Sequence, residues 1–401
     1  MELIGPDHQL YDALRRPAFS RYDEIRPAAI ARCTSAEDVA EVLDTKLQVV
    51  PRGGGHCFAG RSSTTGLLLD LSTMNAVSPD GRRVTIGAGA RLEHVYRSLH
   101  AHGLTIPAGC GPTVGIAGLT LGGGLGLIGR SYGLTCDRLI EATVVLADGR
   151  ILTTSSTDHP ELFWALRGAG GGQFGVVTSL VFDAVLSPAA TRFDVVWPRS
   201  RAADVITAWQ AWAPDAPDDL TACLTVTPTE VRVFGAALGA VDLGPLDGEV
   251  QLRDGLSWPD LKRSLNEPEG PDEIFSKSEF FSHDLPAEAI ADLLTTGATL
   301  SFTPMGGAYN RVAPDATAFP HRRERFLLEH TSPDPATARS SWRIAHPHAS
   351  GRVYANFPDP DLTDWATAYH GENYSRLTAV KDRYDPGNLF HFPQSIEGAT
   401  R

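Results

Sequence analysis

Two spacings of apolar residues alternate along the first 185 positions, and each predicts an element. In residues 34–46, TSAEDVAEVLDTK, Val39, Val42 and Leu43 share one helical face. Thr34 or Ser35 stands at the N-cap, and Glu37 and Asp38 fall in the first turn, so the stretch predicts a short capped helix. LQVVPRGGGH (47–56) reads as a strand running into a glycine loop, and GLLLDLSTM (66–74) as a short buried strand. RRVTIGAGARLEHVYRSLHAHG (82–103) predicts strand, turn and helix, with Gly103 as the stop. IEATVVLADGRILTTS (140–155) predicts a hairpin about Asp148-Gly149. HPELFWALRGAGGGQFGVVTSLVFDAV (159–185) predicts a helix, a glycine-rich loop and a strand.

The pattern changes at LSPAATRFDVVWP (186–198). Short alternating strands, as in ACLTVTPTEVRVFGAALG (222–239), are interspersed with amphipathic helices such as RAADVITAWQAW (201–212) and PAEAIADLLTTG (286–297). That predicts a sheet covered by helices. From about residue 371 the chain is regular again: GENYSRLTAVKDRYDPGNLFHFPQSI places Leu377, Val380 and Tyr384 on one side of a helix that stops at Asp385-Pro386-Gly387. The expected organisation is α+β, with an N-terminal unit over 1–188, a middle unit over 189–368 and a tail over 369–401.

Composition narrows the function classes. With 401 residues and a net charge of −13, the chain is long enough for one large or two ordinary domains, and its acidity opposes general nucleic-acid or anionic-membrane binding. No apolar run approaches the roughly 20 residues of a bilayer span. The start lacks a basic-then-apolar leader pattern, and the five cysteines (33, 57, 110, 136 and 223) are scattered and odd in number. A cytoplasmic protein without a disulfide framework is expected. No CxxC or HExxH spacing suggests a metal site.

Candidate chemistry sits in glycine loops at 53–55, 122–126 and 168–172. Glycine lets a ligand approach the backbone and lets successive N–H groups converge on an anion, although such runs also mark plain turns. None matches a phosphate loop ending in Gly-Lys-Ser/Thr, and GGGLG follows no clear first strand and has no acidic ribose partner downstream. The loops suit an extended, diphosphate-bearing cofactor. In PRGGGHC (51–57) the glycines run into His56. A histidine there is either a turn residue bonded to a carbonyl or a nucleophile held against an electrophilic carbon.

PRGGGHCFAGRS, PAGCGPTVGIAGLTLGGGLGLIGRSYGLTCDRLIEA, ELFWALRGAGGGQFGVVT, PMGGAYNRVAPDATAFPHR, SGRVYANFPD and YHGENYSRLTAVKDRYDPGNLFHFPQSI occur in order across nearly the whole chain. Together they resemble the berberine-bridge-enzyme-like flavoproteins of the vanillyl-alcohol-oxidase superfamily. The resemblance implies an FAD-binding domain of the PCMH type, built from the N-terminal part and the C-terminal tail, and a middle domain whose antiparallel sheet covers the flavin ring. By matching, Arg52, Gly53, Gly54, Gly55, His56 and Cys57 wrap the diphosphate, and His56 carries a covalent bond to the flavin 8α carbon. Gly111, Val114, Gly115, Gly118, Gly123 and Gly124 lie along the cofactor, Gly175, Val176 and Val177 near its adenine end, and Phe390 and Gln394 in the tail that closes over it.

The implied reaction is hydride transfer from a small organic substrate (an alcohol, a sugar or a specialised metabolite) to the flavin, with a base removing a proton. Tyr369 best matches the family's tyrosine, with Tyr354 second and Tyr374 third, and Asn373 is expected to face flavin or substrate. Arg322 reads as an ion-pair partner. Val114 is placed near the oxygen-reactive carbon, so an oxidase releasing H2O2 is expected, with a flavin dehydrogenase or oxidative cyclase using another acceptor as the alternative. A flavin carrier without turnover is the rival class, disfavoured by the tyrosines and the covering domain. Family members often add a second link through a cysteine of a Cys-Pro-x-Val-Gly pattern. Here that place is Gly111, and Cys110 stands one residue early, which predicts a single link through His56 with Cys110 remaining a thiol. The expected assembly is a monomer or homodimer.

Overall fold

The computed structural model describes residues 1–45, 47–265 and 274–398. Two sheets frame the N-terminal unit. In the first, Glu2–Ile4 pairs antiparallel with Ala29–Arg32, which runs parallel to Leu67–Asp70, itself parallel to Val49–Arg52. All four residues of Leu67–Asp70 are buried, as expected for a central strand in a mainly parallel set. The second is an antiparallel five-stranded sheet in the order Val77–Asp80, Arg83–Gly87, Val176–Asp183, Leu139–Val145, Ile151–Ser155. The hairpin about Asp148-Gly149 and the helix Ala36–Val42, capped by Ser35 on the Asp38 N–H, form where their patterns predict.

Leu377, Val380, Tyr384, Phe390 and Ile396 pack in the same apolar core as Leu69, Val84, Val144 and Phe182, so the last helix, Tyr374–Tyr384, and the tail are built into the N-terminal unit. Lys381 secures this junction. Its buried ammonium reaches Asp385 Oδ2 at 2.7 Å and the carbonyls of Gln173 and Phe390 at 2.6 Å.

Seven antiparallel strands form the middle sheet, in the order Gln251–Leu256, Ala190–Pro198, Glu230–Ala237, Leu220–Val226, Thr299–Pro304, Phe326–Ser332, Phe275–Phe281. The helices Ala202–Trp212, Ala287–Leu293 and Pro335–Ala345 cover one face over a core that includes Trp209, Phe302 and Phe326. One helix of the middle range, Trp258–Ser264, leaves this arrangement: Trp258 and Leu261 pack in the N-terminal core instead.

Candidate flavin site

A cavity of about 450 Å³ runs between the glycine loops and the C-terminal tail. Its first wall is the loop that leaves strand Val49–Arg52. Arg52 braces this loop from behind: its guanidinium donates to the carbonyls of Ser62, Leu14 and Arg15 at 2.7–2.9 Å and to Ser63 Oγ at 3.1 Å. Four protein oxygens thus hold its guanidinium, and Arg52 shapes the loop expected to wrap the diphosphate. Gly54 has a similar role. A Cβ there would lie 2.2 Å from the Gly115 nitrogen, because the two loops touch backbone to backbone. Gly55 sits at φ +77°, where L side chains are strained.

His56, Cys57, Gly111, Val114, Gly115 and Gly118 all line the cavity. The His56 Nε2 lies 2.9 Å from Thr113 Oγ1. Burial, with the nearby Arg91, pushes His56 below the ordinary histidine range, so the ring is neutral near pH 7. A Cβ on Gly118 would meet nothing within 4 Å, so this helical glycine leaves open space on the cavity side. Gly170, Gly171, Gly172, Gly175 and Val177 line the far end.

Several expected residues lie elsewhere. Gly123 and Gly124 are pressed against Phe319 and Thr135, outside the cavity wall, and are needed there for close packing at φ +119° and +89°. Val176 points into the core, as alternation along its strand dictates, while Val177 faces the cavity. Phe390 is a core residue, and its neighbours His391 and Phe392 take the wall position with Gln394. Asn373 turns away, donating to the carbonyls of Pro314 and Thr317 at 2.9 and 3.2 Å. Tyr374 stacks on His370 outside the wall. Arg322 is fully buried and pairs with Asp137 at 2.7 Å, a structural ion pair.

Tyr354 and Tyr369 both face the cavity, in different surroundings. The Tyr354 Oη receives three donors: the N–H groups of Gly124 (2.9 Å) and Leu125 (3.2 Å) and Asn356 Nδ2 (2.9 Å). The Tyr369 Oη accepts the Asp359 N–H at 2.8 Å but also meets two acceptors, Gln394 Oε1 at 3.2 Å and the Asp359 carbonyl at 3.3 Å. Burial pushes both phenols up to about 12; the three donors pull Tyr354 back, and Arg61 does so for Tyr369. Two acceptors at Tyr369 hold its proton in place, whereas an oxygen surrounded by donors favours the phenolate.

Arg61 and Asn356 escaped the sequence reading. Arg61 projects into the cavity, donates to Gln394 Oε1 at 2.7 Å and lies over the rings of Phe392 and Tyr369. A cation five residues after His56 in the same loop was the available signal. Asn356 stands two residues after Tyr354, in the turn closed by the Phe357 N–H on the Tyr354 carbonyl at 2.9 Å.

These residues fit FAD. Among the described residues, no aspartate or glutamate lines the cavity, although the chain carries a net charge of −13. The lining offers bare glycine backbone, Arg61 and a neutral imidazole, suited to a diphosphate and a flavin. No three His, Cys, Asp or Glu side chains converge as a metal site requires among the described residues, and no helix there is long and apolar enough to cross a membrane.

Comparison with known proteins agrees. The family described as "FAD binding domain" matches residues 27–155, and the one described as "Berberine and berberine like" matches residues 353–397. The chain is 35% identical to an FAD-linked oxidoreductase of Bacillus subtilis, YgaK, over 92% of this chain and 91% of that one. It is 32% identical to a chitooligosaccharide oxidase of Gibberella zeae over 92% and 87%. Among solved structures, the Physcomitrella patens BBE-like 1 superposes with a TM-score of 0.91 at 26% identity, covering 98% of this chain and 96% of that one. An Acremonium strictum glucooligosaccharide oxidase superposes at 0.88 with 28% identity, covering 99% and 96%. The chain belongs to the berberine-bridge-enzyme-like family of FAD-linked oxidoreductases.

Proposed function

We propose that this oxidoreductase is an oxidase of a small organic substrate (an alcohol, a sugar or a specialised metabolite), with FAD held covalently by His56 alone and dioxygen as its acceptor. The observation that carries the reading is that His56, Tyr354 and Asn356 line one and the same cavity. FAD supplies a two-electron acceptor for a hydride from the substrate C–H bond.

The chain's own residues do the rest. A His56 ring protonated on Nε2 donates to Thr113 and keeps a lone pair on Nδ1, which would bond to the flavin methyl carbon as that carbon loses a proton and leaves two electrons in the flavin, for dioxygen to remove. Tyr354 serves as the base for the substrate O–H or N–H proton, since its oxygen is surrounded by donors that stabilise the phenolate. This favours Tyr354 over Tyr369, which orders the tail through Gln394 and Asp359. Arg61, the cation that projects into the cavity, would hold the cofactor's diphosphate.

The test is spectroscopic. Purified protein should be yellow, bleach anaerobically with a substrate from a panel of sugars, alcohols, amines and polyketide-like compounds, and recover in air with one peroxide per flavin. Recovery only with an artificial acceptor would make it a dehydrogenase.

A further inference from the structure

Cys110 belongs to the walls of two cavities. One is the flavin cavity; the other is a cleft of about 80 Å³ between the helices Leu92–His100 and Trp258–Ser264. Glu93, Arg97 and Arg263 stand exposed at the mouth of the cleft, while the Tyr96 ring, Pro112 and the Cys110 thiol form its floor. Among the described residues, Cys110 is the one common to both linings.

Lys262 fixes this partition. Its buried ammonium lies 2.7 Å from the Ala108 carbonyl, 3.1 Å from that of Gly109 and 3.6 Å from Cys110 Sγ, with the Tyr96 and Trp258 rings 5.0 and 4.9 Å away. The lysine ties helix Trp258–Ser264, a segment of the middle range, to the loop beside Val114. Burying a lysine is costly unless it is paired, so a specific placement of this loop is being maintained.

We propose that the cleft is an entrance to the flavin cavity for dioxygen, with the Cys110 side chain as its constriction; this rests on the oxidase reading above. The volume is well above the ~10–15 Å³ that one water needs, so a diatomic molecule has room, and it is far below that of the flavin cavity. Lys262 in the lining opposes cations, and a neutral diatomic enters without shedding the hydration that any charged solute would have to give up. Inside, dioxygen takes two electrons and two protons from reduced flavin and leaves as hydrogen peroxide, also neutral. The Lys262 charge beside the passage favours the negative charge that dioxygen acquires as electrons reach it.

Arg97 lies at the mouth, away from the flavin cavity wall, so Arg97→Trp narrows the cleft without touching the cofactor site. Cys110→Phe narrows it at the constriction. FAD-loaded protein would be reduced anaerobically with dithionite, then mixed with oxygenated buffer or with ferricyanide, and the flavin absorbance followed by stopped flow. Reoxidation by dioxygen should slow at least tenfold in both variants, and in Arg97→Trp, which stands away from the cofactor site, the ferricyanide rate should be unchanged. In parallel, methyl methanethiosulfonate labelling of Cys110 in the flavin-loaded protein, read by peptide mass spectrometry, should slow in Arg97→Trp, with the fully buried Cys33 and Cys136 as unlabelled references. This second readout does not depend on turnover and keeps the test open if Cys110→Phe fails to fold. A wild-type protein that reoxidises fast while Arg97→Trp matches it would overturn the entrance and leave the oxidase reading standing. A wild type that reacts with ferricyanide but takes minutes in dioxygen would overturn both.

Discussion

The hydroxyl of Thr113 lies 2.9 Å from Nε2 of His56, and this contact joins the two loops that meet through Gly54 and Gly115. With Nε2 as donor to Thr113, the lone pair resides on Nδ1. Thr113→Val, which keeps shape and removes the acceptor, should slow covalent flavin attachment by about 3–10-fold, the worth of one ordinary hydrogen bond. Mixing apoprotein with FAD and following acid-stable flavin over time measures it. An unchanged rate would remove Thr113 from the attachment step.

Tyr354 sets a pH dependence. Its resting pKa is pushed up to about 12 by burial, so below that value each unit of pH changes the phenolate fraction tenfold. Flavin reduction by substrate should therefore rise with pH between 7 and 10 in the wild type. Tyr354→Phe should lower the reduction rate by about 10²-fold or more and flatten the profile, with FAD still attached. If Tyr369→Phe produces that pattern instead, the base is Tyr369.

Arg61 is the cation expected to meet a phosphate. In a His56→Ala background, where binding is reversible, Arg61→Gln should weaken FAD by about 10–100-fold, the range for a lost charge-assisted bond. Titration by flavin fluorescence reads this directly. Unchanged affinity would reduce Arg61 to its contacts with Gln394 and Phe392.

The glycines divide into two kinds that apoprotein melting should separate. Gly54→Ala places a Cβ 2.2 Å from backbone and should destabilise by about 1–3 kcal/mol or more. Gly118→Ala meets no neighbour, so it should leave the melting temperature within a few degrees and lower flavin occupancy instead. Equal melting of both variants would contradict this division.

Much of this architecture was legible because periodicity reports burial. The capped helix at Ser35, the Asp148-Gly149 hairpin and the apolar side of the last helix all stand where spacing placed them. Motif order pointed to His56, Val114, Tyr354 and Gln394, all of which line the cavity. What escaped depends on which way a side chain faces. Val176 belongs to a cavity-forming strand yet points into the core, the Gly124 backbone packs against Thr135, and Asn373 follows a cavity tyrosine only in sequence. Arg52 precedes the phosphate-type loop, but nothing in a linear pattern reveals that four protein oxygens already occupy its donors. The helix Trp258–Ser264 crosses to the other core because its Trp258 and Leu261 are satisfied there, a choice made by tertiary packing.

The attachment of the flavin is the point on which the account stands or falls. In the motif that the sequence resembles, the place expected for a second link falls at Gly111, and Cys110, one residue earlier, lies 3.6 Å from the Lys262 ammonium. Peptide mapping of acid-precipitated protein tests this most directly. The account predicts that the precipitate stays yellow, that the flavin maps to the peptide containing His56 alone, and that His56→Ala releases FAD on denaturation while Cys110→Ala changes nothing. A peptide pair joined through one flavin between His56 and Cys110, or FAD released from the wild type by acid, would contradict it.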